Sequence, residues 1–450
     1  MAPVAVCGEG CRPPVDDPTS RRALHLICDG REMLRADARL RVIVPSDGSQ
    51  ALLRRAIDTT KASQWPGPLD IVVVEDSAGE KSLDPDSSGF GSAVTTIATT
   101  GNRAAFLNAA LQDLAGDHAA PLAGLVAPDV VALLDPAAAV RPDTFRRLAG
   151  ALDTERRVGA ASPSVVLDLP FIEVRIDVDA DDSALLIDAV AADGEEIIDR
   201  CHGVSGARAI DGVRTRWYCP NGSVLRIPVV SIGAPIVIGV ADGEGAIDGT
   251  GVEGPATHRI TVAARQTHRI VHNAGVGIDG NGRRIYRGQY RRVGEHLGPQ
   301  LPHWSPIAAV LHADYLRAAG AFDEELANLA ATDLALRASE EGWSTVHVSD
   351  ASVEYRGSLD REPADDVLEH RNRLLTMARH GSGGERAMTF AQAAGAPVAL
   401  AASALRHPGE GKERLRQAGV RARAFGSAVK GLGASRLARR ERGSDSEEQE

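Results

Sequence analysis

The sequence predicts an α/β protein built on a mostly parallel sheet, with a β-rich insert of about 100 residues and a helical C-terminal extension. Three observations point there. Short β-branched runs alternate with helically spaced apolar residues from Leu40 to Leu152. Period-two alternation with hairpin dipeptides replaces that pattern between 167 and 270. After Leu368 the chain reads as helix almost throughout. Strands alternating with helices make βαβ units and hence parallel pairing.

Residues 1–39 are irregular, with Pro-rich and acidic pieces such as Arg12-Pro13-Pro14-Val15-Asp16-Asp17-Pro18. Leu40-Arg41-Val42-Ile43-Val44-Pro45 is the first strand, stopped by proline. Leu52, Leu53, Ala56 and Ile57 give Ser49–Ala62 a helical face. Leu69 to Asp76 is the second strand, Ala93 to Ala98 the third, and Val130 to Leu134 a buried fourth. Helices are predicted over Arg103–Leu114 and Pro142–Leu152. In the insert, Ile172–Val178, Ser223–Ile227 and Arg259–Val262 alternate as strands, and Asn221-Gly222, Asp279-Gly280 and Asn281-Gly282 supply turns. Asp333–Glu341 is predicted as helix and Thr345–Val348 as strand. The units are therefore 1–39, 40–166, 167–270, 271–380, a helical basic extension at 381–442, and a disordered acidic tail at 443–450.

The net charge of −11 is divided unevenly. Arg406 to Arg442 holds eleven basic and three acidic residues, a balance of +8, and the last eight residues carry −4. Residues 1–405 therefore carry −15, which argues against nucleic acid as a partner, because neutralising phosphates needs a basic surface. Five cysteines form no C-x-x-C pair and no closed metal set, in keeping with a reducing compartment. No basic segment followed by an apolar one opens the chain, so no signal peptide is predicted. The uncharged run Ala387–Leu405 is alanine-rich and reads as a packed or interfacial helix rather than a membrane span.

In parallel sheets ligands bind beyond the carboxyl ends of the strands. Pro45-Ser46-Asp47, Glu75-Asp76-Ser77 and Asp135 stand at three such ends. Each acid alone is a plausible helix cap; together they mark a site.

The ordered segments resemble the family 2 glycosyltransferases, particularly their bacterial rhamnosyltransferase-like branch. The resemblance is carried by Val42-Ile43-Val44-Pro45-Ser46-Asp47-Gly48, Ile71-Val72-Val73-Val74-Glu75-Asp76-Ser77, Gly101-Asn102-Arg103 with Asn108-Ala109-Ala110, and Leu133-Leu134-Asp135 followed by Arg141-Pro142-Asp143-Thr144. Later come Val271-His272-Asn273-Ala274-Gly275, Ala318-Ala319-Gly320-Ala321-Phe322-Asp323-Glu324, Gly342-Trp343 and His370-Arg371-Asn372-Arg373-Leu374. It covers 40–166 and 270–380, about half the chain.

The resemblance implies a GT-A (Rossmann-like) fold, a nucleoside-diphosphate-sugar donor, inversion at the sugar carbon and a Mg²⁺ or Mn²⁺ ion. The metal would neutralise the diphosphate leaving group, and a carboxylate would take the acceptor proton. It implies nucleotide contacts from Pro45, Asp47, Asp76 and Asn108, with Asp135 near the ribose or metal. Several positions depart from the pattern. The family's D-x-D is Asp135-Pro136-Ala137, its catalytic acid pair falls on Ala330-Ala331, and Tyr355 stands where many relatives place a histidine. His312-Ala313 replaces a common arginine pair.

Three readings follow. Asp333 is the base; or the diphosphate is neutralised without metal by Arg337, Arg371 or Arg373; or the fold persists as a nucleotide- or glycan-binding subunit beside an active homologue. No metal site is assigned. The acceptor implied is a glycan or lipid-linked molecule of the cell envelope, with the chain cytoplasmic and 406–442 meeting the inner face of the membrane. The β-rich insert is a candidate carbohydrate-binding module.

Overall fold

The computed structural model describes residues 37–46, 49–77, 94–114, 125–178, 188–190, 215–220, 224–228, 236–242, 246–252, 257–261, 267–280, 282–356, 366–406 and 411–447. The first half runs β1 (Leu40–Pro45), α1 (Gln50–Lys61), β2 (Leu69–Asp76), β3 (Val94–Thr99), α2 (Arg103–Ala110), β4 (Val130–Leu134), β5 (Ala138–Val140), α3 (Thr144–Ala149) and β6 (Val158–Leu167). The insert supplies β7 (Phe171–Val178), β8 (Asp188–Val190), β9 (Thr215–Pro220), β10 (Val224–Pro228), β11 (Ile236–Asp242), β12 (Ala246–Val252) and β13 (Thr257–Thr261). Then come β14 (Val271–Asn273), β15 (Val276–Ile278), β16 (Arg284–Tyr286), β17 (Ala308–His312), α4 (Ala313–Ala319), α5 (Ala330–Glu340) and β18 (Ser344–Tyr355). Three helices close the chain: α6 (Asp366–His380), α7 (Gly383–Arg406) and α8 (Gly411–Glu447).

The central sheet has the order β3-β2-β1-β4-β17-β6-β18-β5, with β14 on the side of β6. Strands β1 to β4 are parallel, β17 runs antiparallel between β4 and β6, and β18 lies parallel to β6. This mixed order, a parallel half joined through one reversed strand, is the GT-A arrangement. The central strands read as unbroken apolar runs because both faces are covered. Leu40, Val42 and Val44 pack toward α1 and α3, while Ile43 packs toward α2, α4 and α5. Strands β4 and β17 divide their side chains between the same two layers. Each fully buried Val, Leu or Ile contributes ~1.5–3 kcal/mol.

Arg41 carries a charge into this core. Arg41 is 0% exposed, and its guanidinium meets both oxygens of Asp113 at 2.6 and 2.8 Å while donating to the carbonyls of Ala110 and Val126. The pair ties β1 to the end of α2. Gly159, at the start of β6, admits Tyr315 and Trp343, whose atoms would lie 2.5–2.7 Å from an added Cβ.

The insert is β-rich as read, in two antiparallel sheets ordered β12-β11-β7-β9 and β13-β10-β8. Buried Glu173 of β7 accepts from Arg292 at 2.5 and 3.0 Å, joining the insert to the segment after β16. The predicted helix over Arg103–Leu114 ends earlier, at Ala110, with a 3₁₀ turn at Gln112–Leu114; the one over Pro142–Leu152 is Thr144–Ala149. The strand expected over Thr345–Val348 is longer, Ser344–Tyr355, and α8 reaches Glu447, into the segment read as a disordered tail. Residues 1–36 and 448–450, like the hairpin residue Asn281, lie outside the described residues.

Candidate functional site

The carboxyl ends of β1 and β4 open onto a cavity of about 690 Å³. Pro45 ends β1 on its wall, and Leu133, Leu134 and Asp135 end β4 there. The start of α2 adds Asn102, Arg103, Ala104 and Leu107. The far wall comes from the second half: Arg283, Arg284 and Tyr286 on the β16 hairpin, Ala330 and Ala331 opening α5, and Leu368 to His370 with Arg373 on α6. His272, Trp304 and Tyr355 line it as well. His272 meets Tyr355 and Tyr286 edge-on, with ring centroids 5.1 and 5.9 Å apart.

Local chemistry places Arg103. Gly101 holds φ +124°, a conformation L residues seldom adopt, and turns the chain into α2. The Asn102 side chain then caps that helix, accepting from Ala104 and Ala105. Arg103 follows, and its Nη1 donates to Asp135 Oδ2 at 2.6 Å while Nη2 donates to the Pro306 carbonyl. The other Asp135 oxygen accepts from the Ala137 amide at 3.0 Å. Both carboxylate oxygens are therefore engaged within the protein.

The far wall is cationic for an equally local reason. Gly282 has φ +74°, and a Cβ there would sit 2.6–2.7 Å from Met377 and Arg373 on α6. That close approach brings Arg283 near Arg373, with Arg284 on the same wall. Burial, then the charges of Arg283 and Arg421, push the Arg373 guanidinium below its usual pKa, with Asp279 and Glu369 opposing them. Buried Arg373 Nε has no hydrogen-bond partner among the described residues. A crowded guanidinium of this kind is favoured by a neighbouring anion.

Of the residues the sequence singled out, the cavity unites Pro45, Asp135 and Arg373. Asp47 lies outside the described residues, and Asp76 is exposed at the end of β2. Asn108 does not line the cavity: its amide donates to the Phe322 carbonyl and Glu324 Oε1 and accepts from the Phe322 amide, which fixes the Phe322–Glu324 turn. Arg371 turns to the Glu325 carbonyl and Asn372 Oδ1, and Arg337 to the carbonyls of Ala319 and Ala321.

Asp333 is likewise held behind the wall. It is 1% exposed and receives Arg337 Nε at 2.9 Å and His380 Nε2 at 2.8 Å. His380 Nδ1 meets Glu340 at 2.8 Å. Burial pushes the Asp333 carboxyl up, but the His380 hydrogen bond and the charge of Arg337 outweigh it, and the pKa falls below the usual value. Among the described carboxylates, those on the cavity wall are Asp135, bound to Arg103, and Glu369 on α6. Glu369 was missed in the sequence, although it directly precedes the His370-Arg371-Asn372-Arg373 motif.

A divalent ion does not fit these residues. Asp135 spends both oxygens on protein donors, Ala137 offers only a methyl group, and Tyr355 brings a phenol rather than a carboxylate or imidazole. Mg²⁺ and Mn²⁺ require several oxygen ligands, and among the described residues no three His, Cys, Asp or Glu side chains converge to hold a metal.

No family model matches the chain, and no curated protein matches it significantly. Among solved structures it is similar to a mannosyltransferase from Pyrobaculum calidifontis in complex with GDP-Man and Mn²⁺, at 14% identity over 92% of this chain and 93% of that one, TM-score 0.38. It is similar to TarS of S. aureus at 10% identity over 89% and 92%, TM-score 0.36. Glucosyl-3-phosphoglycerate synthase from Mycobacterium tuberculosis, in complex with Mn²⁺, UDP and its product, matches 29% of this chain and 45% of its own at 15% identity, TM-score 0.22. None of these brings a substrate to this chain, and the fold rests on the strand order itself.

Proposed function

We propose that this chain is a glycosyltransferase of the family 2 type that holds a nucleoside-diphosphate sugar through arginines rather than a metal, and serves the assembly of a cell-envelope glycan or glycolipid. The observation that carries this is Arg373, crowded by Arg283 and Arg421 and with a buried donor aimed at no protein acceptor. A diphosphate supplies the missing charge and the missing acceptor. Pro45 and the end of β1 face the nucleoside, and Arg283, Arg284 and Arg373 face the diphosphate. Transfer forms a bond from an acceptor hydroxyl oxygen to the sugar carbon. The bond from that carbon to phosphate breaks, and its electron pair leaves with the nucleoside diphosphate. Glu369 takes the hydroxyl proton.

The wall also supports a second reading. Ala330 and Ala331 stand on the cavity where the family resemblance puts its catalytic acids, which favours a binding subunit without turnover, working beside an active homologue.

Calorimetric titration with a panel of nucleoside-diphosphate sugars tests the shared claim. Arg373→Ala is expected to weaken binding ~10–100-fold, the loss of a charged hydrogen bond worth ~1.5–3 kcal/mol. Absence of binding at millimolar ligand would refute both readings. Release of nucleoside diphosphate that Glu369→Gln abolishes, with affinity unchanged, selects the enzyme.

A further inference from the structure

We propose that the α7–α8 hairpin is a membrane-docking surface that lies flat on a bilayer containing anionic lipid. Helix α7 is long and apolar enough to cross a membrane by length and composition, and only 11% of its most apolar window is buried. It does not cross. Helix α8 packs against it along its length, with Phe390 against Phe425 at 6.2 Å and Arg414 donating to Ser403. A helix bound side by side to one this charged cannot leave it behind at the water boundary. The pair is anchored in turn on α6, where Leu374, Leu375 and Ala428 share one buried cluster.

What α7 turns outward is apolar. Met388, Val398 and Leu405 are 59, 71 and 85% exposed. Val398 and Leu405, seven residues apart, share one line with Met388 about a quarter turn away, and no charged residue lies between Arg386 and Arg406. On α8 a second stripe forms at the same spacing: Lys412, Arg416, Arg423 and Lys430 are all exposed along one line. Leu415 and Val429, 55 and 48% exposed, run beside it. An apolar line next to a cationic line is the chemistry of a helix lying in an anionic interface. Charge selects this occupant over a second copy of the chain. Residues 1–405 carry −15, so another copy brings mostly repulsion, whereas anionic lipid meets the +8 of Arg406 to Arg442. The surface is separate from the cavity and stands whether or not the cavity binds nucleotide.

The full chain is sedimented with vesicles of phosphatidylglycerol and phosphatidylcholine, or of phosphatidylcholine alone. Sedimentation with the anionic vesicles only, and release at ~0.5 M salt by screening, is expected. The double variant Val398→Glu with Leu405→Glu alters exposed positions, so its melting temperature stays that of the parent while its binding drops at least ~10-fold. Replacing Lys412, Arg416, Arg423 and Lys430 by glutamine is expected to do the same. No sedimentation of the parent, or equal sedimentation of parent and both variants, overturns the proposal. So does a micromolar dimer in sedimentation velocity that the Val398→Glu and Leu405→Glu variant dissolves, since the second copy would then be the occupant.

Discussion

The two walls of the cavity handle charge in opposite ways. On the first-half wall the carboxylate among the described residues, Asp135, is neutralised by its neighbour Arg103 at 2.6 Å. On the second-half wall Arg283 crowds Arg373, Arg284 turns to the Asn328 carbonyl and the Tyr286 ring, and among the described residues the buried Arg373 Nε has no partner. Behind that wall Asp333 repeats the Asp135 solution, bound to Arg337 and His380. The difference separates closed accounts from open ones. Asp135 and Asp333 are committed to internal pairs, and on the second wall three arginines stand beside Glu369. In the proposed function the anionic part of the ligand belongs against the second wall.

The largest expected effect breaks the closed account. Asp333→Ala would leave Arg337 and His380 beside an empty buried site, and loss of one partner of a buried pair costs ~3–5 kcal/mol. Denaturant unfolding measures it. Asp333→Asn keeps the shape and separates the roles: lost stability with unchanged turnover per folded molecule marks a structural acid, while full stability with abolished turnover restores Asp333 as the base.

The fold was legible where both faces of a strand are covered. Leu69–Asp76, with Ile71–Val74 apolar at its centre, and the wholly apolar Val130–Leu134 are returned by the structure as β2 and β4 unchanged. Strand β6 was not, because Val158–Leu167 is built of Gly, Ala and Ser with Pro163 inside, and its burial depends on what packs over it. Strand β17, Ala308–His312, is too short to show a period. The site was legible as positions and not as pairings. Spacing located Asp135 and Arg373, but that Arg103 claims the first, and that Gly282 brings other arginines to the second, are contacts across long loops. Glu369 was passed over because a lone glutamate on a polar helix face carries no signal.

The next effect is on pH. His303 is 2% exposed, neither ring nitrogen has a close hydrogen-bond partner among the described residues, and burial, then the charge of His380, opposed by the Pro302 backbone, pushes its pKa down to about 4. Burial and the charge of Arg287 likewise bring His347 down to about 4. A histidine depressed in the folded state takes its proton first in the unfolded chain. Stability is thus lost as pH falls from about 6.5 toward about 4. His380 has the opposite sign: burial lowers it, but Asp333 and Glu340 raise it further, so its contribution is full below about 6.5 and fades as pH rises. Asp333, depressed, contributes above about 3.8 and fails only below it. The acid loss from His303 is about 2 kcal/mol between pH 7 and 5. His303→Gln should flatten that limb in urea titrations at the two pH values; an unchanged limb would show that His303 is not the sensor.

Gly282→Ala sharpens the comparison at the second wall. An alanine at φ +74° costs ~1–2 kcal/mol and its methyl pushes against Met377 and Arg373. Stability should fall by that amount and nucleotide affinity should fall with it, because Arg283 and Arg284 move away from Arg373. Loss of stability with affinity intact would show that the arginine group does not act as a unit.

The smallest effect is the most direct test of the first wall. With Asp135 engaged by Arg103 and the Ala137 amide, and with no second carboxylate in the Asp135-Pro136-Ala137 turn, a divalent ion has little to hold. Replacing Mn²⁺ by EDTA is expected to change nucleoside-diphosphate affinity less than ~10-fold, or ~1.4 kcal/mol. Because Arg103 occupies the place of a cation, Arg103→Ala should free Asp135 Oδ2 and move the protein toward metal dependence: affinity drops without Mn²⁺ and recovers in part when it is added. A metal effect well above tenfold in the parent would mean that Asp135 leaves Arg103 when nucleotide binds. A parent indifferent to Mn²⁺, beside an Arg103→Ala variant that responds to it, would establish the guanidinium as the cation of the first wall.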